Sequence, residues 1–320
     1  MDLFKNIVIL IIGMVLLIKG ADYFVSGASN LAKKLKIPAI IIGLTVVSFG
    51  TSLPETSVSL FSALKGSADL SLGNVIGSNI FNTFIVLGAS ALMMPVIVKK
   101  SSLKGEMPFL LLVTIIIILF SIINFNKNYV ISRLEGIILL TLFVFYLYMM
   151  ILMSKKINAS SPKEESSHIN LSLSILILFL GLGGIILGGE LVTNSASKIA
   201  LELGMSEALV GLTIIAVGTS LPELVTSVIA AKKGENDIAF GNVIGSNIFN
   251  ILLIIGLAST IQPLSVVPII IIDMVIMLFF TIVLVFFVFK NKKIGRFEGI
   301  IFISMYMIYL VYIIIRNYVK

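Results

Sequence analysis

The sequence predicts an all-α polytopic membrane protein whose ten transmembrane helices form two inverted five-helix repeats. Three observations lead to this fold class. The 320 residues are 58% hydrophobic and only 12% charged, whereas about a quarter of the residues in a soluble domain are charged. Apolar runs near the roughly 20 residues that cross a bilayer as helix recur along the whole chain. The second half of the chain also repeats the first.

The apolar runs define ten candidate spans. They lie near residues 4–27, 37–64, 70–94, 106–124, 130–153, 171–196, 206–231, 238–262, 266–289 and 296–317. A polar stretch that contains the only histidine, His168, separates the fifth span from the sixth. The chain is therefore divided into a first five-helix repeat (1–153), a cytoplasmic linker (154–170) and a second, inverted repeat (171–320).

The duplication appears when the sequence is aligned with itself at an offset of 168 residues. Residues 42–82 then match residues 210–250 without a gap, and 24 of the 41 positions are identical. The identities form two blocks, Gly-Thr-Ser-Leu-Pro-Glu from Gly50 and Gly218, and Gly-Asn-Val-Ile-Gly-Ser-Asn-Ile-Phe-Asn from Gly73 and Gly241. Because five is an odd number, the second repeat is expected to enter the membrane from the opposite side.

The loops predict the orientation of the chain. One set of loops carries about 15 basic residues and the opposite set, with both termini, about 7, so the first set is expected to be cytoplasmic and both termini extracellular. The net charge of +7 is thereby explained by a multi-pass protein of the cell membrane, without a nucleic-acid partner. The absence of cysteine excludes disulfides and thiolate metal sites.

The first block places acids and hydroxyls beside helix breaks. Pro54 is expected to break helix 2 near Gly50, and Pro222 to break helix 7, because proline has no N–H and clashes with the preceding turn. Glu55 and Glu223 follow these prolines, and an ionisable residue at bilayer depth is a functional-site hypothesis by default. The adjacent hydroxyls belong to Thr51, Ser52, Thr219 and Ser220.

The second block adds further oxygen atoms. Ser78 and Asn82 lie four residues apart and share a helix face, and their copies are Ser246 and Asn250. Asn79 starts another face, where it either lines the site or joins two helices. Ligands that are all oxygen suit the hard cations Ca²⁺ and Na⁺. Lys and Arg occur only at the ends of the repeated spans, which disfavours structural ion pairs for the two Glu residues.

Other acidic residues give weaker signals. Glu135 and Glu298 follow an arginine at the start of a span and are interpreted as interfacial anchors. Asp22 and Glu190 are either interfacial or line an access path. Asp273 lies alone in the ninth span, and no counterpart is identified for it.

The two duplicated blocks resemble the α-repeats of the cation/Ca²⁺ antiporter superfamily, specifically its prokaryotic sodium/calcium exchanger branch. The resemblance covers essentially the whole chain. It implies a ten-helix fold with helices 2, 3, 7 and 8 around the cation sites, exchange of Na⁺ for Ca²⁺ by alternating access, and a first and sixth helix that slide as a pair. It also implies a transporter and not an enzyme.

The resemblance also implies roles for individual residues. Glu55 and Glu223, with the carbonyl oxygens of Thr51 and Thr219, would hold Ca²⁺. The flanking Na⁺ sites and the centre would use the carbonyls of Ser48 and Ala216, the hydroxyls of Ser52, Ser78, Ser220 and Ser246, and the side chains of Asn82 and Asn250. Asn250 departs from relatives that carry Asp there, including potassium-dependent ones, which lowers the expectation of K⁺ coupling. No cofactor is expected, because Ca²⁺ and Na⁺ bind as substrates.

Three alternative functions are weighed against Na⁺/Ca²⁺ antiport. A Ca²⁺/H⁺ antiporter on the same scaffold is the nearest, since a buried Glu can carry a proton. A channel is disfavoured by inverted repeats around one midplane site. An intramembrane hydrolase lacks His, Cys and a paired-Asp motif in the spans.

Overall fold

The computed structural model describes residues 2–122, 129–160, 170–205, 214 and 216–318. The helices and strands, in chain order, are α1 (Asp2–Leu35), α2 (Ala39–Thr51), α3 (Leu53–Leu64), α4 (Ala68–Met93), β1 (Val96–Ile97), α5 (Lys100–Lys104), α6 (Glu106–Ile122), β2 (Val130–Ile131), α7 (Arg133–Ser160), α8 (Leu171–Glu202), α9 (Ala216–Gly218), α10 (Leu221–Lys232), α11 (Asn236–Ile261), β3 (Leu264–Ser265), α12 (Pro268–Asn291), β4 (Lys293–Ile294) and α13 (Arg296–Tyr318).

The architecture is that of a helical polytopic membrane protein. Within the described ranges, eight helices are long and apolar enough to cross a membrane, or nine if the bent pair α2–α3 forms one span. These segments correspond to nine of the ten predicted spans. The remaining one, the seventh, includes residues 206–213 and 215, which lie outside the described residues.

The second predicted span is bent between α2 and α3. Helices α2 and α3 meet at an angle of 51°, and Ser52 between them has φ −83° and ψ 10°. Ser220, between α9 and α10, has nearly the same conformation, with φ −94° and ψ 6°. Pro54 and Pro222 each occupy the first turn of the helix that follows, where the missing N–H costs no intrahelical bond.

Three of the core helical segments contain a wider, π-helical stretch. These stretches are Gly43–Val47 in α2, Asn82–Val86 in α4 and Asn250–Ile255 in α11. The last two begin at candidate ligands of the site. A π turn inserts one extra residue into the helical repeat and is frequent at functional sites, so the side chains before and after it face directions that a regular helix would not give.

Beside the helices, the described residues include four strands of two residues each. β1 pairs antiparallel with β4, and β2 pairs antiparallel with β3. In both ladders one strand comes from the first half of the chain and the other from the second half. A two-residue strand is too short for a period-2 hydrophobic pattern, which explains why the sequence did not indicate it. The ladders tie the two halves together outside the helical core.

Helices α1 and α8 pack along each other through glycine. A Cβ atom added at Gly181 would lie 2.7 Å from the carbonyl oxygen of Gly20, and one added at Gly20 would lie 2.6 Å from the backbone nitrogen of Ile185. Small residues at such an interface let two backbones approach closely, which is a main source of packing energy between membrane helices.

Helix α7 extends beyond the predicted end of the fifth span. The sequence places the linker at 154–170, but the helix continues to Ser160. Its membrane-compatible part ends at Ser154, so the helix extends past the apolar segment. Residues 161–169 of the linker lie outside the described residues.

Asp273, which the sequence left without an interpretation, forms an ion pair with Arg316. The Arg316 guanidinium donates to both carboxylate oxygens, at 2.8 and 3.1 Å. The Arg316 side chain is 18% exposed and the Asp273 side chain 8%, so the pair is mostly buried between α12 and α13. Planar, two-bonded contacts of this kind are the strong form of the Arg–carboxylate interaction.

Replacing Arg316 with Met is expected to lower the free energy of unfolding by about 3 kcal/mol, because it leaves a buried carboxylate without its partner. Thermal unfolding of the purified chain in detergent measures the effect. Arg133→Met is the matched control, since the Arg133 guanidinium donates to the carbonyl of Ile261 at 3.4 Å on an exposed surface. Equal losses in the two variants would contradict a specific role for the pair.

Candidate functional site

The two acids predicted from the repeated motif lie in the centre of the helical core. Glu55 and Glu223 are each 0% exposed. Each belongs to the first turn of the helix that follows a break, α3 for Glu55 and α10 for Glu223. Because the N-terminal turn leaves backbone N–H groups without intrahelical partners, it favours a nearby negative charge.

The hydroxyls at the breaks bind the acid of the opposite half. Ser52 donates to Glu223 Oε1 at 2.8 Å, and Ser220 donates to Glu55 Oε1 at 2.9 Å. The next serines in the repeat extend each contact, with Ser52 and Ser246 joined at 3.0 Å and Ser220 and Ser78 at 3.1 Å. The candidate site is therefore a single cluster to which both halves contribute equally.

Two asparagines bind the threonines at the helix breaks, and each asparagine comes from the half of the chain opposite to its threonine. Thr51 Oγ1 donates to Asn242 Oδ1 at 3.0 Å, and Thr219 Oγ1 donates to Asn74 Oδ1 at 3.4 Å. Each asparagine amide also donates to a serine of its own half, Asn74 to Ser59 and Asn242 to Ser227, both at 2.9 Å. These contacts fix the orientation of the helix breaks relative to α4 and α11.

Several buried side-chain oxygens of predicted ligands have no hydrogen-bond partner among the described residues. They are Glu55 Oε2, Glu223 Oε2, Asn82 Oδ1 and Asn250 Oδ1. Among the described ion pairs, none involves either Glu. Buried polar atoms are nearly always satisfied in folded proteins, and buried charges are paired or coordinate metals. Among the described residues, the two acids therefore have no positively charged partner.

The structure describes the predicted carbonyl ligands Ser48 and Ala216 in unequal detail. Ser48 is fully buried, and its carbonyl accepts the N–H of Ser52 at 3.0 Å and lies 3.5 Å from the Ser246 hydroxyl. Ala216 is the first residue of α9, but its side chain lies outside what the structure describes. In the described part of the chain, no three His, Cys, Asp or Glu side chains are grouped closely enough to hold a metal ion, so this cluster has only two acids.

Asn79 joins two helices. Its amide donates to the carbonyl of Asn247 at 3.2 Å, and its Oδ1 accepts from Asn250 Nδ2 at 3.0 Å. Asn247 in turn donates to Thr83 at 2.8 Å. Of the two interpretations left open for Asn79, the contacts favour the bridging one, and the bridge fixes the amide of Asn250.

The acids at the starts of the fifth and tenth spans cap their own helices. Glu135 Oε2 accepts the N–H of Ser132 at 2.6 Å, and Glu298 Oε2 accepts the N–H of Gly295 at 2.9 Å. This is the reciprocal half of a capping box. Both side chains are occupied with local structure and lie apart from the central cluster.

Asp22 belongs to a contact that the sequence did not indicate. Lys233 forms an ion pair with Asp22 at 2.9 Å and donates to Ser26 at 2.7 Å. A second contact follows one turn further along α1, where Ser29 donates to Glu235 at 2.6 Å. Helix α1 is thus tied to the loop after α10.

The equivalent contact of α8 is absent. At the offset of 168, the counterparts of Asp22 and Lys233 are Glu190 and Lys65, and neither forms an ion pair among the described residues. The buried hydroxyl of Ser197, the counterpart of Ser29, has no hydrogen-bond partner among the described residues. The two halves are therefore alike in sequence and different in the contacts of their first helices.

Known proteins resemble the chain over nearly its full length. The family model described as sodium/calcium exchanger protein matches residues 5–152 and 173–315. The sodium/calcium exchanger MaX1 of Methanosarcina acetivorans is 32% identical over 96% of this chain and 97% of its own, and the inner membrane protein YrbG of Escherichia coli is 38% identical over 81% of each. A structure of the sodium-calcium exchanger NCX_Mj, soaked with 10 mM Na⁺ and zero Ca²⁺, matches with a TM-score of 0.84 at 35% identity, covering 97% of this chain and 99% of that one.

Proposed function

Because the chain belongs to the sodium/calcium exchanger family, we propose that it is a secondary active antiporter that exchanges Na⁺ for Ca²⁺ at the Glu55–Glu223 cluster. The observation that carries this proposal is the pair of fully buried carboxylates whose second oxygens have no partner. Ions that bind there are substrates, and the family is one of transporters.

The charge of the cluster favours hard cations. Two ionised carboxylates carry a charge of −2, and leaving them uncompensated in a low-dielectric interior would cost several kcal/mol for each ion. One Ca²⁺ neutralises both, and Na⁺ ions can share the same oxygens. Carboxylate, hydroxyl, amide and carbonyl oxygens are the ligands that Ca²⁺ prefers. The proposed ligands are Glu55, Glu223, Thr51, Thr219, Ser52, Ser220, Ser48, Ala216, Ser78, Ser246, Asn82 and Asn250.

The proposed architecture is ten transmembrane helices in two inverted repeats, with the cluster near the midplane. The crossed hydrogen bonds of Ser52 and Ser220 and the crossed pairing of the four strands support a two-fold relation between the halves. Inverted repeats with a site at their interface are typical of secondary transporters. The basic loops favour a cell-membrane orientation with both termini outside.

Alternating access is supported by the unequal contacts of α1 and α8. We infer that the Lys233–Asp22 contact closes the predicted cytoplasmic side, and that Lys65 and Glu190 form the equivalent contact when the other side closes. A transporter of this kind has two states that differ by a few kcal/mol, and bound ions shift their populations.

Cysteine crosslinking tests the exchange of these contacts in a chain that has no native cysteine. A short bis-thiol reagent is expected to join Asp22→Cys with Lys233→Cys in one ionic condition, and Glu190→Cys with Lys65→Cys in another. The yields of the two pairs, followed from Na⁺-rich to Ca²⁺-rich buffer, should change in opposite directions. Yields that rise and fall together would contradict the inference.

Reconstituted vesicles test the function. Vesicles loaded with Na⁺ are expected to take up radiolabelled Ca²⁺ when they are diluted into Na⁺-free buffer, and collapse of the pH gradient with a protonophore should leave the initial rate unchanged. Uptake that needs a pH gradient and ignores Na⁺ would identify a Ca²⁺/H⁺ antiporter instead. Ca²⁺ flux without countertransport of either ion would identify a channel.

A further inference from the structure

A second buried acid lies apart from the central cluster. Glu106 is the first residue of α6, at its predicted cytoplasmic end, and is 1% exposed. Its Oε2 atom is buried and has no hydrogen-bond partner. None of the described ion pairs includes Glu106. Neither the proposed transport site nor a described ion pair accounts for the charge of this carboxyl group.

The counterpart of Glu106 in the second half is Asp273. At an offset of 167, Glu106-Met107 aligns with Asp273-Met274, and Thr114 aligns with Thr281. The structure has the same register, because the buried positions of α6 and α12 coincide, with Met107 and Met274 both 0% exposed. The two threonines also donate to the carbonyl four residues earlier at the same distance, 2.8 Å.

Helices α7 and α13, which are the next helices after α6 and α12, correspond at an offset of 163. This offset pairs Arg133 with Arg296 and Gly136 with Gly299. This offset pairs Tyr146 with Tyr309, both of which are buried. Tyr309 lies beside Asp273. Tyr146 lies beside the turn of Glu106, since Phe109 stacks on its ring with centroids 5.3 Å apart.

The two halves differ at one position of this arrangement. In the second half, Arg316 neutralises Asp273 with two hydrogen bonds. The position equivalent to Arg316 in the first half is Met153, which has no charge. Among the described residues, the buried Tyr146 hydroxyl and Glu106 Oε2 have no hydrogen-bond partner. The first half therefore keeps the acid and the tyrosine and has a methionine in place of the arginine.

Among the described side chains, no basic group pairs with Glu106. The charged side chain that acts on Glu106 is Asp237, an acid already paired with Lys99. The Ser102 hydroxyl lies beside the Glu106 carboxyl group. A water molecule could satisfy the hydrogen bonds but not the charge of a buried carboxylate.

We propose that Glu106, Tyr146 and Ser102 bind one monovalent cation, Na⁺ or K⁺, in the position that corresponds to the Arg316 guanidinium. A single carboxylate with neutral hydroxyl oxygens matches one positive charge, whereas a divalent ion would leave an excess of charge in the core. Oxygen ligands suit these hard ions. The site lies outside the transport cluster, so the cation stabilises the packing of α6 against α7 and is not exchanged with Ca²⁺.

The binding test uses the full-length chain with Glu55→Gln and Glu223→Gln, which removes the two central carboxylates. At pH 8, replacing choline chloride by NaCl or KCl at equal ionic strength is expected to raise the midpoint of thermal unfolding by on the order of 5 °C. Adding Glu106→Gln should abolish the rise. No cation-dependent rise in the starting protein, or a rise that survives Glu106→Gln, would overturn the proposal.

A second variant keeps the test informative if Glu106→Gln folds poorly. Met153→Arg supplies the missing charge from the protein itself, so its midpoint in choline chloride should rise and should no longer respond to Na⁺ or K⁺. Met153→Leu is the matched control and should keep the response. If the midpoint follows pH between 6 and 9 but ignores both cations, Glu106 binds a proton instead and the proposal is wrong. The vesicle assay on the unmodified chain decides the transport function independently.

Discussion

Replacing Glu55 with Gln is expected to lower the affinity for Ca²⁺ by about 100-fold or more and to abolish measurable exchange. The substitution keeps the shape of the side chain and removes one of the two charges that the cation must balance. Each hydrogen bond to a charged group is worth about 1.5–3 kcal/mol, and 1.4 kcal/mol corresponds to a factor of ten in affinity. Initial rates of Ca²⁺ uptake into Na⁺-loaded vesicles, over a range of Ca²⁺ concentrations, measure the loss.

The matched control for this variant is Glu135→Gln. Glu135 accepts a backbone N–H in a capping box, a position in which Gln is equally suitable, so uptake should stay within a factor of two of the unmodified protein. Glu223→Gln should behave as Glu55→Gln does, because the two acids have equivalent partners. A Glu55→Gln protein that still exchanges Na⁺ for Ca²⁺ would refute the proposed site.

Replacing Gly181 with Leu is expected to separate α1 from α8 and to abolish transport by disrupting the fold at this interface. A Cβ atom at this position would lie 2.7 Å from the carbonyl oxygen of Gly20, and backbone atoms cannot move aside as a flexible side chain does. Forcing extra volume into a packed interface typically costs about 1–3 kcal/mol, and a whole leucine side chain is expected to lie at or above that range. The midpoint of thermal unfolding and the vesicle assay report the two effects.

Gly183→Leu provides the control on the same helix. Nothing lies within 4 Å of a Cβ atom built at Gly183, so the added side chain enters open space and the protein should keep both its thermal midpoint and its transport rate. If both variants lose activity to the same degree, the loss would reflect the changed helix composition and not the close contact between α1 and α8.

The apolar runs predicted the helical membrane fold and the duplicated motifs predicted the candidate residues, because both signals are local in the sequence. Acids, hydroxyls and prolines at one offset identify Glu55 and Glu223 without a structure. The crossing of the contacts could not be predicted in the same way. Ser52 lies three residues from Glu55 and yet donates to Glu223, because the break after α2 turns the hydroxyl toward the other half.

The acids outside the motifs were harder to interpret for a specific reason. Aligning the two halves at a single offset pairs equivalent residues only as long as the corresponding loops have equal lengths. The fourth and ninth spans correspond at 167 and the fifth and tenth at 163, so Glu106 and Asp273 were not recognised as counterparts. Asp273 and Arg316 are 43 residues apart on different helices, and only their packing brings them together.

The crossed hydrogen bonds have a consequence for biosynthesis. Ser220 is made 165 residues after Glu55, the acid it binds, which at about 5–20 residues per second takes roughly 10 to 30 s. Throughout that interval the first repeat holds an acid that has none of its partners from the second. The crossed contacts therefore form only after Ser220 has been made, and premature termination of translation in the linker would release a first half without them.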